Sequence, residues 1–128
     1  MRVSRKDQAA LRVAVVGPCS AGKSTLLPSL KDAGYEARHP AQEHSFVPDM
    51  WLRITNPDIL IYLDVSYSAA RQRRPHIDGG PERLAGQHLR LTHAREYCDY
   101  YLDTSDLTPL QVRQAVLEFI QLWENEHR

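Results

Sequence analysis

Residues 15–27 read VVGPCSAGKSTLL, and Gly17, Gly22, Lys23 and Ser24 fill all four specified positions of the pattern G-x-x-x-x-G-K-(S/T). At average amino-acid usage such a match arises by chance in about one chain of this length in a few hundred. The pattern constrains the fold because it needs a strand before it and a helix after it. Residues 11–16, LRVAVV, are apolar at five of six positions and rich in valine, as a strand covered on both faces reads. From residue 22 or 23 to Ala33 the chain predicts a helix, with Gly34 as its C-terminal cap. Pro28 falls beyond the first turn, so a bend or one lost hydrogen bond is expected there.

The residue types suit the holding of a polyphosphate. Glycine lets the backbone turn sharply, so that successive N–H groups line one concavity. The helix that follows adds N–H groups without internal partners and a positive dipole end. Lys23 is a mobile charge for β- and γ-phosphates, and Ser24 offers an oxygen to Mg²⁺. The expected contact set is Gly17, Pro18, Cys19, Ser20, Ala21, Gly22, Lys23, Ser24 and Thr25. Thr25 reads equally as a contact to the α-phosphate or as an ordinary early helix residue. Cys19 reads first as a small filler and second as a redox switch.

A chain of 128 residues, 42% hydrophobic and 25% charged, has the size of a single α/β domain spanning residues 1–128. Its net charge of zero argues against a nucleic-acid partner attracted by a global field. Two cysteines make no disulfide framework, which points to a reducing, cytoplasmic setting. The start, MRVSRK, is basic, but the apolar run behind it is short and ends in the glycine-rich loop. No targeting or membrane-spanning segment is therefore expected.

Further along, residues 35–38 form a weak second strand, and a short helix starting at Pro48 should bury Met50, Trp51 and Ile54. Residues 58–64, DILIYLD, are a second strong strand, followed by Ser66 as the cap of a helix through Arg74. Residues 75–81, PHIDGGP, read as a loop. A helix from Glu82 to about Tyr97 then leads into a strand at residues 99–103. Thr108-Pro109-Leu110-Gln111 combines a capping box with proline at the first helical position. Val112, Ala115, Val116, Phe119, Ile120 and Trp123 make one apolar stripe behind it. Strands alternating with helices, without a hairpin turn, imply a short, mostly parallel sheet of about four strands between helical layers.

The chain resembles the small-molecule and nucleotide kinases of the P-loop class, on three pieces that span most of it. The glycine-rich loop is the most specific. "NPDILIYLDVSYSAARQRR" is similar to the strand, Asp-Val-Ser turn and arginine helix of thymidylate and related kinases. "AREYCDYYLDTSDLTPLQVRQAV" is similar to their last strand and helix, where an Asp-Thr-Ser-like turn lies beside the base. The resemblance implies a three-layer P-loop NTPase fold with Mg²⁺ and ATP as cofactor and substrate. It makes the arginine helix the start of a lid, with Arg73 as the best match to the family's catalytic arginine and Arg71 and Arg74 beside it. Growing charge on the phosphoryl oxygens is what such an arginine would meet.

The family also has a strand next to the phosphate-loop strand that carries the magnesium-side carboxylate. About twenty residues separate the weak second strand from DILIYLD, so that strand is either missing or hidden in "EARHPAQEHS". Two carboxylates compete for the magnesium side. Asp64 ends an apolar run at the edge where ligands bind and is preferred, although the family often uses this aspartate to hold the turn behind it. Glu43 is the alternative, as a base for an acceptor hydroxyl or a water-mediated magnesium ligand, but it reads first as a surface glutamate. His39 and His44, like His88 and His93, are five apart rather than four, and the cysteines are far apart, so zinc is not expected. No guanine-reading Asn-Lys-x-Asp occurs.

Two functions remain open at this point. One is a minimal kinase using Lys23, Mg²⁺ and Arg73 to move the γ-phosphoryl of ATP to a small-molecule or nucleotide acceptor. The other is a nucleotide-binding module or slow NTPase whose segment 71–83 orders for a partner protein.

Overall fold

The structure, a computed structural model, describes residues 10–76 and 79–127. The basic start, and Ile77 and Asp78 of the expected lid, lie outside the described residues. The valine run forms β1 (Arg12–Val16), joined by β2 (Glu36–Arg38), β3 (Ile59–Asp64) and β4 (Tyr100–Asp103). All pairings are parallel, in the spatial order β2-β1-β3-β4. Val13 lies opposite Ile59 and Val16 opposite Tyr62. β1 and β3 are buried on both faces, which is why each reads as an unbroken apolar run.

The order of strands explains where the helices go. The path from β1 to β2 runs one way across the sheet, and the path from β2 to β3 runs back past β1. Right-handed crossovers therefore put the two connections on opposite faces. On one face, Leu26, Leu27 and Leu30 of α1 (Lys23–Asp32) pack with Val112, Val116 and Ile120 of α6 (Pro109–Glu126) over Val13, Val15, Ile59, Ile61 and Leu63. Leu30, Val116 and Ile120 are completely buried, each contributing about 1.5–3 kcal/mol by removal from water. On the other face, Trp51 of α2 (Met50–Thr55), Leu91 just before α5 (Thr92–Tyr97) and Ala94 within it cover Ala14, Val16, Leu60 and Tyr62. Between β3 and α5 run α3 (Tyr67–Arg73) and α4 (Gly80–Arg90). The chain thus has the expected α/β class, with four parallel strands flanked by helices.

Helix ends follow their sequence signals. Gly34, at φ +96°, donates to the Lys31 carbonyl (3.0 Å) while Tyr35 N–H reaches Leu30 (3.1 Å), closing α1 in a Schellman motif. α1 continues past Pro28, which has no N–H to offer Ser24. The Ser66 hydroxyl caps α3, and Thr108 and Gln111 form the reciprocal capping box of α6.

Three expectations change. The helix expected from Glu82 to Tyr97 is two helices, and the first begins at Gly80, inside the stretch expected as a loop. They meet at Leu91, whose φ of −96° and ψ of 1° leave the helical range, and Thr92 Oγ1 donates to the Leu89 carbonyl at 2.8 Å. Turning the chain there brings fully buried Leu91 and Ala94 onto the sheet together. Ile54, expected in the core, is 54% exposed, because so short a helix as α2 buries Trp51 on the sheet and leaves Ile54 at its margin. The strand beside β1 is the weak one itself: β2 pairs with β1 through Ala37 opposite Val13, at the start of "EARHPAQEHS".

Candidate functional site

The loop at residues 17–22 leaves β1 where the strand order reverses, between the carboxyl ends of β1 and β3. Gly17 is required by contact. A Cβ on it would lie 1.9 Å from the Leu63 carbonyl oxygen, so the loop is pressed against the backbone of β3. Ser20 takes φ +71° and Gly22 φ +104°, two left-handed turns that deliver the chain to the start of α1. The first N–H groups of such a helix have no acceptor within it.

Lys23, the first residue of α1, is 7% exposed. Its ammonium donates to Gly17 O, to Pro18 O at 3.2 Å and to Glu43 Oε2 at 2.7 Å. Glu43 is itself 5% exposed, and its other oxygen, Oε1, has no hydrogen-bond partner among the described residues. A single 3₁₀ turn, Gln42–His44, carries it. Fully buried Gln42 fixes that turn, accepting from Trp51 N–H (2.8 Å) and donating to Val47 O (2.8 Å). Arg90 of α4 adds a 2.6 Å bond to the Glu43 carbonyl. The carboxylate facing Lys23 therefore comes from the connection after β2, the strand beside β1.

The turn after β4 closes the other side. Thr104 is buried, and its hydroxyl lies 2.7 Å from Ala21 O and 3.1 Å from Asp64 O. Arg73 donates from Nη1 to Ser20 O (2.8 Å) and Thr104 Oγ1 (3.0 Å), and from Nη2 to Thr104 O. Arg73 thus clasps the loop to the β4 turn. A cavity of about 470 Å³ opens between these parts, lined by the loop and by His39, Glu43, Arg73, Arg74, Leu107 and Pro109.

Asp64 is used elsewhere. Its Oδ1 accepts from Val65 N–H (2.8 Å) and lies 2.7 Å from His88 Nε2, while Oδ2 accepts from Tyr101 OH (2.6 Å). Burial alone would raise this carboxyl, but the hydrogen bonds from Tyr101, His88 and Val65 outweigh it and hold it below its ordinary value. Burial and the same carboxylate push the Tyr101 phenol up to about 12. Of the two carboxylates weighed for the magnesium side, the preferred Asp64 is engaged by these three contacts. Glu43 lines the cavity beside Lys23, and Asp64 holds the turn and α4.

The structure gathers Gly17, Pro18, Cys19, Ser20, Ala21, Gly22, Lys23, Ser24 and Thr25 at one edge, with Arg73 against them. Ser24 and Thr25 are exposed at that edge. Sequence reasoning missed Gln87, whose Oε1 accepts from Cys19 N–H at 2.9 Å and whose Nε2 is 3.5 Å from Cys19 Sγ. It placed the turn holding Thr104 beside the base rather than against the loop and Arg73, and it read Glu43 as a surface residue or a second choice. Their partners lie 20 to 83 positions away along the chain. The signal that was present is the polar triplet Gln42-Glu43-His44 directly behind the strand beside β1. Comparison with protein-family models and with curated proteins finds no match to the chain.

Proposed function

We propose that the chain is a minimal P-loop protein of the small-kinase kind. It binds Mg-ATP on residues 17–25 and moves the γ-phosphoryl group to a small hydroxyl- or phosphate-bearing acceptor. The observation that supports this most is the buried Lys23–Glu43 pair at the mouth of a glycine-rich loop, beside a cavity of about 470 Å³. Lys23 holds its charge in reserve on Glu43 and two carbonyls, and in the bound state would exchange them for β- and γ-phosphate oxygens. Backbone N–H groups at the start of α1 would take the remaining phosphate charge. Magnesium supplies neutralisation of that charge. Ser24 Oγ would hold it, and Glu43, released by Lys23, would accept from its waters or from the acceptor hydroxyl. Arg73 would brace the loop while charge shifts across the γ-phosphate. A reducing cytosol suits a loop that carries a thiol at Cys19.

A second reading, a binding module or slow NTPase, is favoured by one observation. The 470 Å³ cavity suits one ligand. The cavity next to it, between the loop and α4, is about 30 Å³, the size of a water. An acceptor would need α4 to move.

Calorimetry with ATP and magnesium tests the common part: wild type should bind, and Lys23→Ala should lose at least about tenfold in affinity. Absence of binding by folded wild-type protein would sink both readings. ATP labelled at the γ-phosphate, given with nucleosides, nucleoside monophosphates and small alcohols, separates them. Label on an acceptor supports the kinase, and label found solely in free phosphate supports the module.

A further inference from the structure

Three side chains of different chemistry meet beside the loop: the Cys19 thiol, the Glu43 carboxylate and the His44 imidazole, with one ligating atom from each within 4.8 Å of the others. Cys19 Sγ is 3.6 Å from His44 Nε2, which is 3.9 Å from Glu43 Oε2. A tetrahedral zinc ion with Zn–S near 2.3 Å and Zn–N and Zn–O near 2.05 Å sets S to N at about 3.5 Å and N to O at about 3.4 Å. The sulfur and nitrogen already stand at that separation, and the carboxylate must close by about half an ångström on the nitrogen and by up to about 1.3 Å on the sulfur, a change within reach of a rotation of the Glu43 side chain. Chain spacing alone could not reveal this set, because Cys19 is brought to the Glu43–His44 pair across the sheet edge.

The second observation is independent of spacing. Lys23 holds Glu43 Oε2, whereas Oε1 of the same carboxylate is buried and has no hydrogen-bond partner among the described residues, and a buried carboxylate oxygen left unpaired is costly unless something positive meets it. Around the sulfur, Gln87 Nε2 at 3.5 Å and Arg83 Nη2 at 3.9 Å are N–H donors of the kind that support a metal-bound thiolate from outside.

We infer that Cys19, Glu43 and His44 form a site for a borderline-soft divalent cation, Zn²⁺, with its fourth position open to the cavity. Thiolate and imidazole select zinc against magnesium, which prefers oxygen ligands alone. Binding releases the thiol proton to solvent. It also draws Glu43 away from Lys23, so zinc and the magnesium of the nucleotide compete for one carboxylate. That competition rests on the nucleotide reading given above; the metal site does not.

The test is a titration of the full-length, nucleotide-free protein with Co²⁺, followed by displacement with Zn²⁺. Wild type and Cys98→Ser should develop sulfur-to-cobalt charge-transfer absorption that zinc abolishes. Cys19→Ser should lack it, and both Cys19→Ser and His44→Ala should bind zinc at least about tenfold more weakly. Thiolate absorption that persists in Cys19→Ser, or zinc affinity unchanged in both variants, would overturn the site. In a second arm, micromolar zinc should weaken Mg-ATP binding to wild type at least about tenfold and leave His44→Ala unaffected. Equal zinc sensitivity in His44→Ala would overturn the competition. If zinc-free wild type binds no nucleotide at all, the nucleotide reading fails, and the cobalt arm still judges the metal site.

Discussion

Lys23 Nζ lies 2.7 Å from Glu43 Oε2, and the two side chains are 8% and 7% exposed. A buried pair of this kind is tolerated because each charge meets the other, and removing one partner leaves the second desolvated and alone. Lys23 is thus part of the structure before any ligand arrives, contrary to the free, mobile charge that its motif suggests. Lys23→Ala should destabilise the protein by about 3 kcal/mol, the low end for a broken buried pair because one side faces the cavity. The double variant Lys23→Ala/Glu43→Gln should recover a large part of that loss. Chemical denaturation of the single and double variants checks it; a double variant no more stable than Lys23→Ala would refute the pairing argument.

The two carboxylates should separate by phenotype. Glu43→Gln keeps the size of the side chain and removes the charge that would meet magnesium. It should lower magnesium-dependent nucleotide affinity at least about tenfold. Asp64→Asn should leave the magnesium dependence intact and lower the melting temperature, since its oxygens hold Val65, His88 and Tyr101. Magnesium titrations at fixed nucleotide, with melting curves alongside, decide the assignment.

Asp64 also predicts the acid limb of stability. Its carboxyl is held below the ordinary 3.8 in the folded protein, so the folded state favours the ionised form. The contribution is therefore fully present above the unfolded value. It fades as the pH falls from about 3.8 through the lowered folded value. Melting temperature measured across that range should fall less steeply in Asp64→Asn than in wild type. Parallel acid limbs would assign the loss to other groups.

Gly17 and Gly22 look alike in the motif but should respond differently to alanine. At Gly17 the new Cβ meets the Leu63 carbonyl at 1.9 Å, which the β3 backbone cannot relieve without moving the sheet. At Gly22 a new Cβ would meet no atom within 4 Å among the described residues outside its chain neighbours, and the cost is that of the left-handed backbone, about 1–2 kcal/mol. Gly17→Ala should have the lower melting temperature of the two, and equal values would contradict the close approach of loop and strand.

Local signals were legible where they act over a few residues. The valine run, the Schellman glycine, the Ser66 cap and the Thr108 capping box all formed as read, because each depends on neighbours within about six positions. Strand order and the place of Glu43 were not legible. β2 has three residues and one buried side chain, Ala37, too little pattern to reveal that it lies beside β1. The break at Leu91 was equally hidden: residues 82–97 suit one helix, and the turn is imposed by the sheet that Leu91 and Ala94 must reach.

Arg73 separates bracing from chemistry. Its guanidinium donates to Ser20 O, Thr104 Oγ1 and Thr104 O, so Arg73→Ala should loosen the loop even without ligand, by about 1–2 kcal/mol for bonds at a partly exposed site. An arginine that also stabilises charge on a transferring phosphoryl group acts more strongly in the transition state than on bound ATP. In a kinase, Arg73→Ala should then reduce turnover at least about 100-fold while ATP affinity falls less than about tenfold. Arg73→Lys keeps the charge but cannot span Ser20 and Thr104 with one planar fork, so it should recover little of the lost melting temperature. Single-turnover transfer of labelled phosphate, read beside ATP affinity and melting temperature for both variants, resolves the roles. Losses in affinity and stability with turnover falling only in proportion would make Arg73 a brace and nothing more.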